Sequence, residues 1–236
     1  MEKQVHLILW LWIGLMLMSC SSGPLTDEQI VKRYFRHAEV KYDAQGRVTR
    51  IGCPKINRGF IDTYIFRPKL CRIRGPLPAE IGQLTELQSL RIWGAGITEI
   101  PSEIGQLSKL EYLDLTSNEL TTLPPEIGRL TSLKTLDLSP NELTTLPPEI
   151  GGLTNLEKLD LAENNLIHLP SEIGQLTNLT GLYLSHNNLM DLPSEIGRLT
   201  NLTGLNLWRN NLTGIPPEVW QLRMRGTKIS TELTPP

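Results

Sequence analysis

The 236-residue chain has little of what most chemistry requires. Its four histidines, His6, His37, His168 and His186, have no ligand-like spacing, and metal binding would need more ligands nearby than three cysteines offer. A glycine-rich phosphate loop, G-x-S-x-G and H-E-x-x-H are all missing, so there is no starting point for catalysis, and neither a catalytic residue nor a cofactor is expected. The formal net charge is −2 with no long charge run, which excludes the basic stripe of a nucleic-acid protein. The small cluster Arg223, Arg225 and Lys228 reads as solvated surface. The apolar run Leu7 to Met18 has 12 residues, too short to span a bilayer.

What the chain does have is period. Seven prolines, Pro78, Pro101, Pro124, Pro147, Pro170, Pro193 and Pro216, recur every 23 residues within a pattern close to L-P-x-E-I-G-x-L-T-x-L-x-x-L-x-L-x-x-N-x-L. The segment Leu110 to Leu120, L-x-x-L-x-L-x-x-N-x-L, returns at Leu133, Leu156, Leu179 and Leu202. In one unit Ile81, Leu84, Leu87, Leu90, Ile92, Ile97 and Ile100 need burial. Each buried side chain is worth about 1.5–3 kcal/mol, against about 1–2 kcal/mol of backbone entropy for every residue ordered. An isolated unit cannot stand, whereas stacked units share a core and strand pairing. The period-2 stretch L-x-L predicts a short strand with its leucines inward, stacked on its neighbours into one parallel sheet.

This pattern resembles the leucine-rich repeat superfamily, and its length and L-P-x-E-I-G segment are similar to the plant intracellular Ras-group and SHOC-2-like repeats, over roughly residues 48 to 223. The resemblance implies an α/β repeat solenoid: a horseshoe with a concave parallel β-sheet, short helical turns on the convex side and an N-terminal helical cap. Asn118, Asn141, Asn164, Asn187 and Asn210 then form a structural ladder, their amides pairing backbone groups that would otherwise be buried unpaired. Gly82, Gly105, Gly128, Gly151, Gly174 and Gly197 are expected to make tight convex turns, and the glutamates Glu80 to Glu218, one per unit, to cap short helical turns. Trp220 takes the place of the glycine in the last unit, and the strand pattern dissolves after Leu222.

Towards the N-terminus, Lys3 precedes the apolar run as in a secretory signal. Leu17-Met18-Ser19-Cys20 resembles a bacterial lipobox, which implies a signal peptide over 1–19, lipidation of Cys20 and a tether over 20–24, hence a lipoprotein held in the membrane of the cell envelope by its N-terminal lipid. With Cys20 so used, Cys53 and Cys71 remain, bracketing an insertion, and a disulfide between them is expected in an oxidising envelope. Thr26 and Gln29 have capping-box spacing, and Ile30, Val31, Tyr34 and Phe35 make an apolar stripe, so residues 25–47 read as a helical cap. Residues 48–76 read as a degenerate first repeat with an insertion, 77–222 as the repeats and 223–236 as a C-terminal cap or tail.

The outward strand positions are the candidate partner-binding face: Arg91, Trp93, Tyr112, Asp114, Asp137, Lys158, Asp160, Tyr183, Asn206 and Trp208. In a chain that is only 6% aromatic, Tyr183 and Trp208 on adjacent coils stand out as anchors pointing to water, while Arg91, Lys134 and Lys158 are expected to relieve the repulsion of the Asp row. The expectation is a non-catalytic, lipid-anchored module that binds a protein, with a glycan as second choice. The alternatives are a structural solenoid of the envelope without a discrete ligand or, if the signal is misread, a cytoplasmic signalling adaptor.

Overall fold

The computed structural model describes residues 24–36, 38–53 and 73–234. The signal segment, Cys20, most of the tether, Cys71 and nearly all of the insertion lie outside them.

Helix α1, Asp27–Tyr34, starts at a complete capping box: the Gln29 N–H donates to the Thr26 hydroxyl, and the Thr26 N–H donates to Gln29 Oε1 at 2.9 Å. Asp27 and Glu28 in its first turn, and Lys32 and Arg33 in its last, suit the helix dipole. Ile30, Val31 and Phe35 enter the core. Asp27 Oδ2 also accepts from the Val48 N–H at 2.7 Å, which ties the helix to the first strands. These are β1, Glu39–Tyr42, and β2, Val48–Gly52, an antiparallel pair around a turn in which Asp43 Oδ1 accepts from the Gln45 and Arg47 N–H groups. The sequence pattern indicates the turn and β2 but not β1, whose residues are largely exposed and show no clean alternation because it is an edge strand.

From β2 the sheet runs through β4 (Ser89–Arg91), β6 (Tyr112–Asp114), β7 (Thr135–Asp137), β8 (Lys158–Asp160), β9 (Gly181–Tyr183), β10 (Gly204–Asn206) and β11 (Lys228–Ser230), all parallel. Beside it, β3 (Gly75–Pro76) pairs with β5 (Ile97–Glu99). The central residues of the strands, Leu90, Leu113, Leu136, Leu159, Leu182 and Leu205, are in register and buried. Strand β11 corrects the expectation that strand structure ends after Leu222. The last coil lengthens its short helix to α2, Pro217–Met224, which buries Trp220 and Leu222 and returns the chain for one more strand.

Opposite the sheet, six five-residue 3-10 helices, from Ala79–Gln83 to Ser194–Arg198, each follow one of the periodic prolines. A proline presets φ near −65° for the entry, and Pro78 sits at −65°. The N-cap prolines make no side-chain hydrogen bond, and the glutamates lie in the first turns, where a negative charge suits the helix N-terminus. Glu80 also accepts the Tyr34 hydroxyl at 2.6 Å, pinning the N-terminal cap to the first full coil. The periodic glycines are explained differently from the expectation. Their φ angles are not positive; what excludes a side chain is the next coil, whose glutamate backbone would lie within 3 Å of a Cβ on Gly82, Gly105, Gly128, Gly174 or Gly197. They set the distance between coils rather than the turn within one.

Candidate functional site

The parallel register lines up two outward rows on the concave sheet. One contains Arg50, Ser89, Tyr112, Thr135, Lys158 and Gly181; the other contains Gly52, Arg91, Asp114, Asp137, Asp160, Tyr183 and Asn206. Trp93 and Trp208 follow two residues after Arg91 and Asn206. The ten expected contact residues thus share one face, but not one environment. Arg91 and Trp208 are exposed, Asp114 is buried, and Trp93, Tyr112, Asp137, Lys158, Asp160, Tyr183 and Asn206 are intermediate.

Within this face the acidic and amide side chains already have internal work. Oδ1 of Asp114, Asp137, Asp160 and Asn206 each accepts the main-chain N–H two residues on, those of Thr116, Ser139, Ala162 and Trp208. This local bond turns the chain away from the strand. Asp137 Oδ1 accepts the Thr116 hydroxyl of the preceding coil as well. Burial, and then the neighbouring Asp137 carboxylate, raises the Asp160 carboxyl above its ordinary value.

The aromatics pair with cations. The Arg91 guanidinium lies 4.2 Å from the centre of the Tyr112 ring, and Lys158 Nζ lies 5.2 Å from that of Tyr183. Burial raises the Tyr112 hydroxyl. Tyr183 does not project freely into water: its ring folds back over Gly181, where a Cβ would meet it at 3.0 Å. Of the three basic residues expected to offset the Asp row, Lys158 lies 3.7 Å from Asp160 Oδ2 and Arg91 is the register partner of Asp114, whereas Lys134 bonds Glu111 at 2.8 Å on the sheet margin. Trp208 is the exposed anchor, 46% accessible. It borders a groove of about 580 Å³ with Ser185, His186, Asn206, Ile229, Ser230 and Thr231. Three of its seven lining residues come from β11 and the residue after it, which the repeat pattern does not mark.

Beneath the face runs the asparagine ladder. Asn164 Oδ1 accepts from the Leu143 N–H while its Nδ2 donates to the Leu138 and Leu161 carbonyls. Asn118, Asn141, Asn187 and Asn210 repeat the arrangement, with Asn118 Oδ1 serving both the Ala95 and Ile97 N–H groups. A second ladder escaped the reading of the sequence. Ser132, Asn155, Asn178 and Asn201 donate to the carbonyls of Ser108, Thr131, Thr154 and Thr177, one coil back, and their common spacing of 23 was the available signal.

Cys53 is buried and disulfide-bonded, with its partner outside the described residues. Among the described residues no group of three His, Cys, Asp or Glu could hold a metal ion, and no helix is long and apolar enough to cross a membrane.

Parallel coils of 23 residues, locked by buried asparagines, define a leucine-rich repeat solenoid. The leucine-rich repeat region family matches residues 69–140, 103–186 and 126–215, and the chain belongs to it. Among solved structures, the Leptospira interrogans leucine-rich repeat protein LIC12759 is 37% identical with a TM-score of 0.50, over 66% of this chain and 51% of its own. The ectodomain of the Arabidopsis thaliana membrane receptor kinase GASSHO1/SCHENGEN3, solved in complex with CASPARIAN STRIP INTEGRITY FACTOR 2, is also 37% identical, with a TM-score of 0.60, over 67% of this chain and 19% of its own. The plant peptide hormone receptor RGFR1, in complex with RGF2, is 32% identical at the same TM-score, over 68% and 26%. The chain thus spans about half or less of the length of these structures. No curated protein matches it.

Proposed function

We propose that this protein is a non-catalytic binding module that recognises a protein through its concave sheet. The observation that carries the reading is the exposed indole of Trp208 on a rigid strand end, beside a groove and in line with the outward rows from Arg91 onwards. A large apolar side chain left in water there adds nothing to the core, and such side chains are typical interface anchors. That similar solenoids are solved with bound partners, CASPARIAN STRIP INTEGRITY FACTOR 2 and RGF2 among them, supports the same use.

The module is held in the cell envelope by lipid on Cys20, and a Cys53–Cys71 disulfide closes the insertion. The lipobox-like Leu17 to Cys20 supports the first, and the buried, bonded Cys53 supports the second. Two acyl chains make a stable anchor where one is marginal.

The test uses the full chain in its native host, crosslinked and recovered from the envelope, with Tyr183→Ala and Trp208→Ala combined. Loss of the crosslinked partner at unchanged protein level is expected. Retention at full yield would assign the protein a structural, spacing role instead. Labelled palmitate should enter the parent and not Cys20→Ala; a parent without label would sink the lipoprotein reading.

A further inference from the structure

The concave face changes charge along its length in a definite order. At its N-terminal end a hollow of about 210 Å³ is lined by Lys41, Arg50 and Arg91 against the single carboxylate of Glu39. Next come Asp137 and Asp160 on consecutive strands, both part-exposed, with Lys158 Nζ 3.7 Å from Asp160 Oδ2. At the far end the groove beside Trp208 is lined, among the described residues, by no carboxylate, ammonium or guanidinium. Neighbouring strands are about 4.8 Å apart and an extended chain advances about 3.3 Å per residue. From β4, which carries Arg91, Asp137 is two strands on, and the strand leading to Trp208 is three further. A crossing peptide covers these steps in about three and then about four residues.

We propose that the partner contributes an extended peptide segment laid across the strands, with an acidic residue over Arg91, a basic residue over the Asp row and a large apolar residue against Trp208. The proposal rests on the concave sheet being the contact face and adds the chemistry of what lies on it. Like charges placed over either ionic zone are rejected, so the order gives specificity as well as attraction. The ladder of Asn side chains and the inter-coil glycines hold the zones at fixed spacing, so the segment need not find them by adjustment of the protein.

The experiment selects a displayed library of random 12-residue peptides against the immobilised full chain. Enriched sequences should carry acid, base and large apolar residue in that order, in one chain direction or its reverse, at separations of about three and four. Exchanging the acid and the base in a selected synthetic peptide should weaken binding about tenfold or more. Selection against Arg91→Glu should replace the acid by a base, and selection against Trp208→Ala should lose the apolar preference. No enriched sequence, enriched sequences without this order, or an unchanged outcome with Arg91→Glu would each overturn the proposal. If the crosslinked native partner is still lost with Tyr183→Ala and Trp208→Ala, the concave-face reading stands while the charge order fails; if that partner is retained, the face itself is wrong.

Discussion

A Cβ placed on Gly128 would lie 2.1 Å from the main-chain oxygen of Glu149, one coil further on. Each coil is thus packed against the next at a distance that admits no side chain, and stacking coils is what makes the solenoid stable. Gly128→Ala must push two coils apart or distort a 3-10 helix, and overpacking of this kind costs about 1–3 kcal/mol. The control is Gly204→Ala, where a Cβ meets nothing within 4 Å. Urea unfolding should show a lowered midpoint for the first variant and an unchanged or slightly raised one for the second. Equal midpoints would mean that the coils are not held at this spacing.

Asn164→Ala removes the acceptor of the Leu143 N–H and the donor to two carbonyls, deep in the core. Leaving a buried group unpaired costs about 1–3 kcal/mol, so at least about 3 kcal/mol is expected here. Asn210→Ala makes the same deletions where the ladder is only half-buried, and water can replace the lost partners. Its loss of stability should be clearly smaller. Similar losses for both would show that burial does not decide the ladder's worth.

The period of 23 made the inner leucines, the parallel strands and the main ladder legible, because every coil repeats the same burial at the same place. The short helical turns on the convex side were expected from the family resemblance, and the prolines that open them are the residues that mark them in the sequence. What periodicity cannot show is the exception. Strand β1 is short, exposed and antiparallel, and β11 follows a helix that breaks the repeat. The concave face was legible as a set of positions but not as an environment. That Tyr183 lies over Gly181 and towards Lys158 depends on a side chain turning back along its own strand, and that Asp137 and Asp160 face inward to backbone amides depends on the local turn. Neither is periodic in the residue letters.

Glu163 has a positive φ of 52°, as have Ser117, His186 and Arg209 at the equivalent place, where the first full coil has Gly94. A left-handed conformation costs an ordinary residue about 1–2 kcal/mol, and glycine's extra chain entropy offsets about 0.5–1 kcal/mol of that. Glu163→Gly is therefore expected to stabilise by up to about 1 kcal/mol. The same change at exposed Glu142, which has no positive φ, should destabilise. Thermal unfolding of the two variants side by side decides it, and a loss of stability at both positions would refute the argument.

Asp160 faces Asp137 across the strand pair and is drawn towards Lys158, yet the balance of these forces goes to burial, which raises its carboxyl above the ordinary 3.8. The sign for stability follows directly. Where pH exceeds the raised folded value, the carboxylate is ionised in both states and the folded state carries the desolvation penalty in full. As pH falls through the folded value towards 3.8 the penalty shrinks, and below 3.8 it is gone. Asn206 occupies the equivalent position two coils on and keeps the Oδ1 bond to the N–H two residues on, so Asp160→Asn preserves the turn while removing the charge. Its one loss is the half-exposed contact to Lys158 at 3.7 Å, worth at most about 1 kcal/mol and screened by salt. The variant should unfold at a higher temperature than the parent at pH 7 in moderate salt, and the two should converge below pH 3.8. A variant less stable at pH 7, or a gain that persists undiminished at pH 3, would show that the ionised Asp160 carboxylate is not held at a net cost of desolvation.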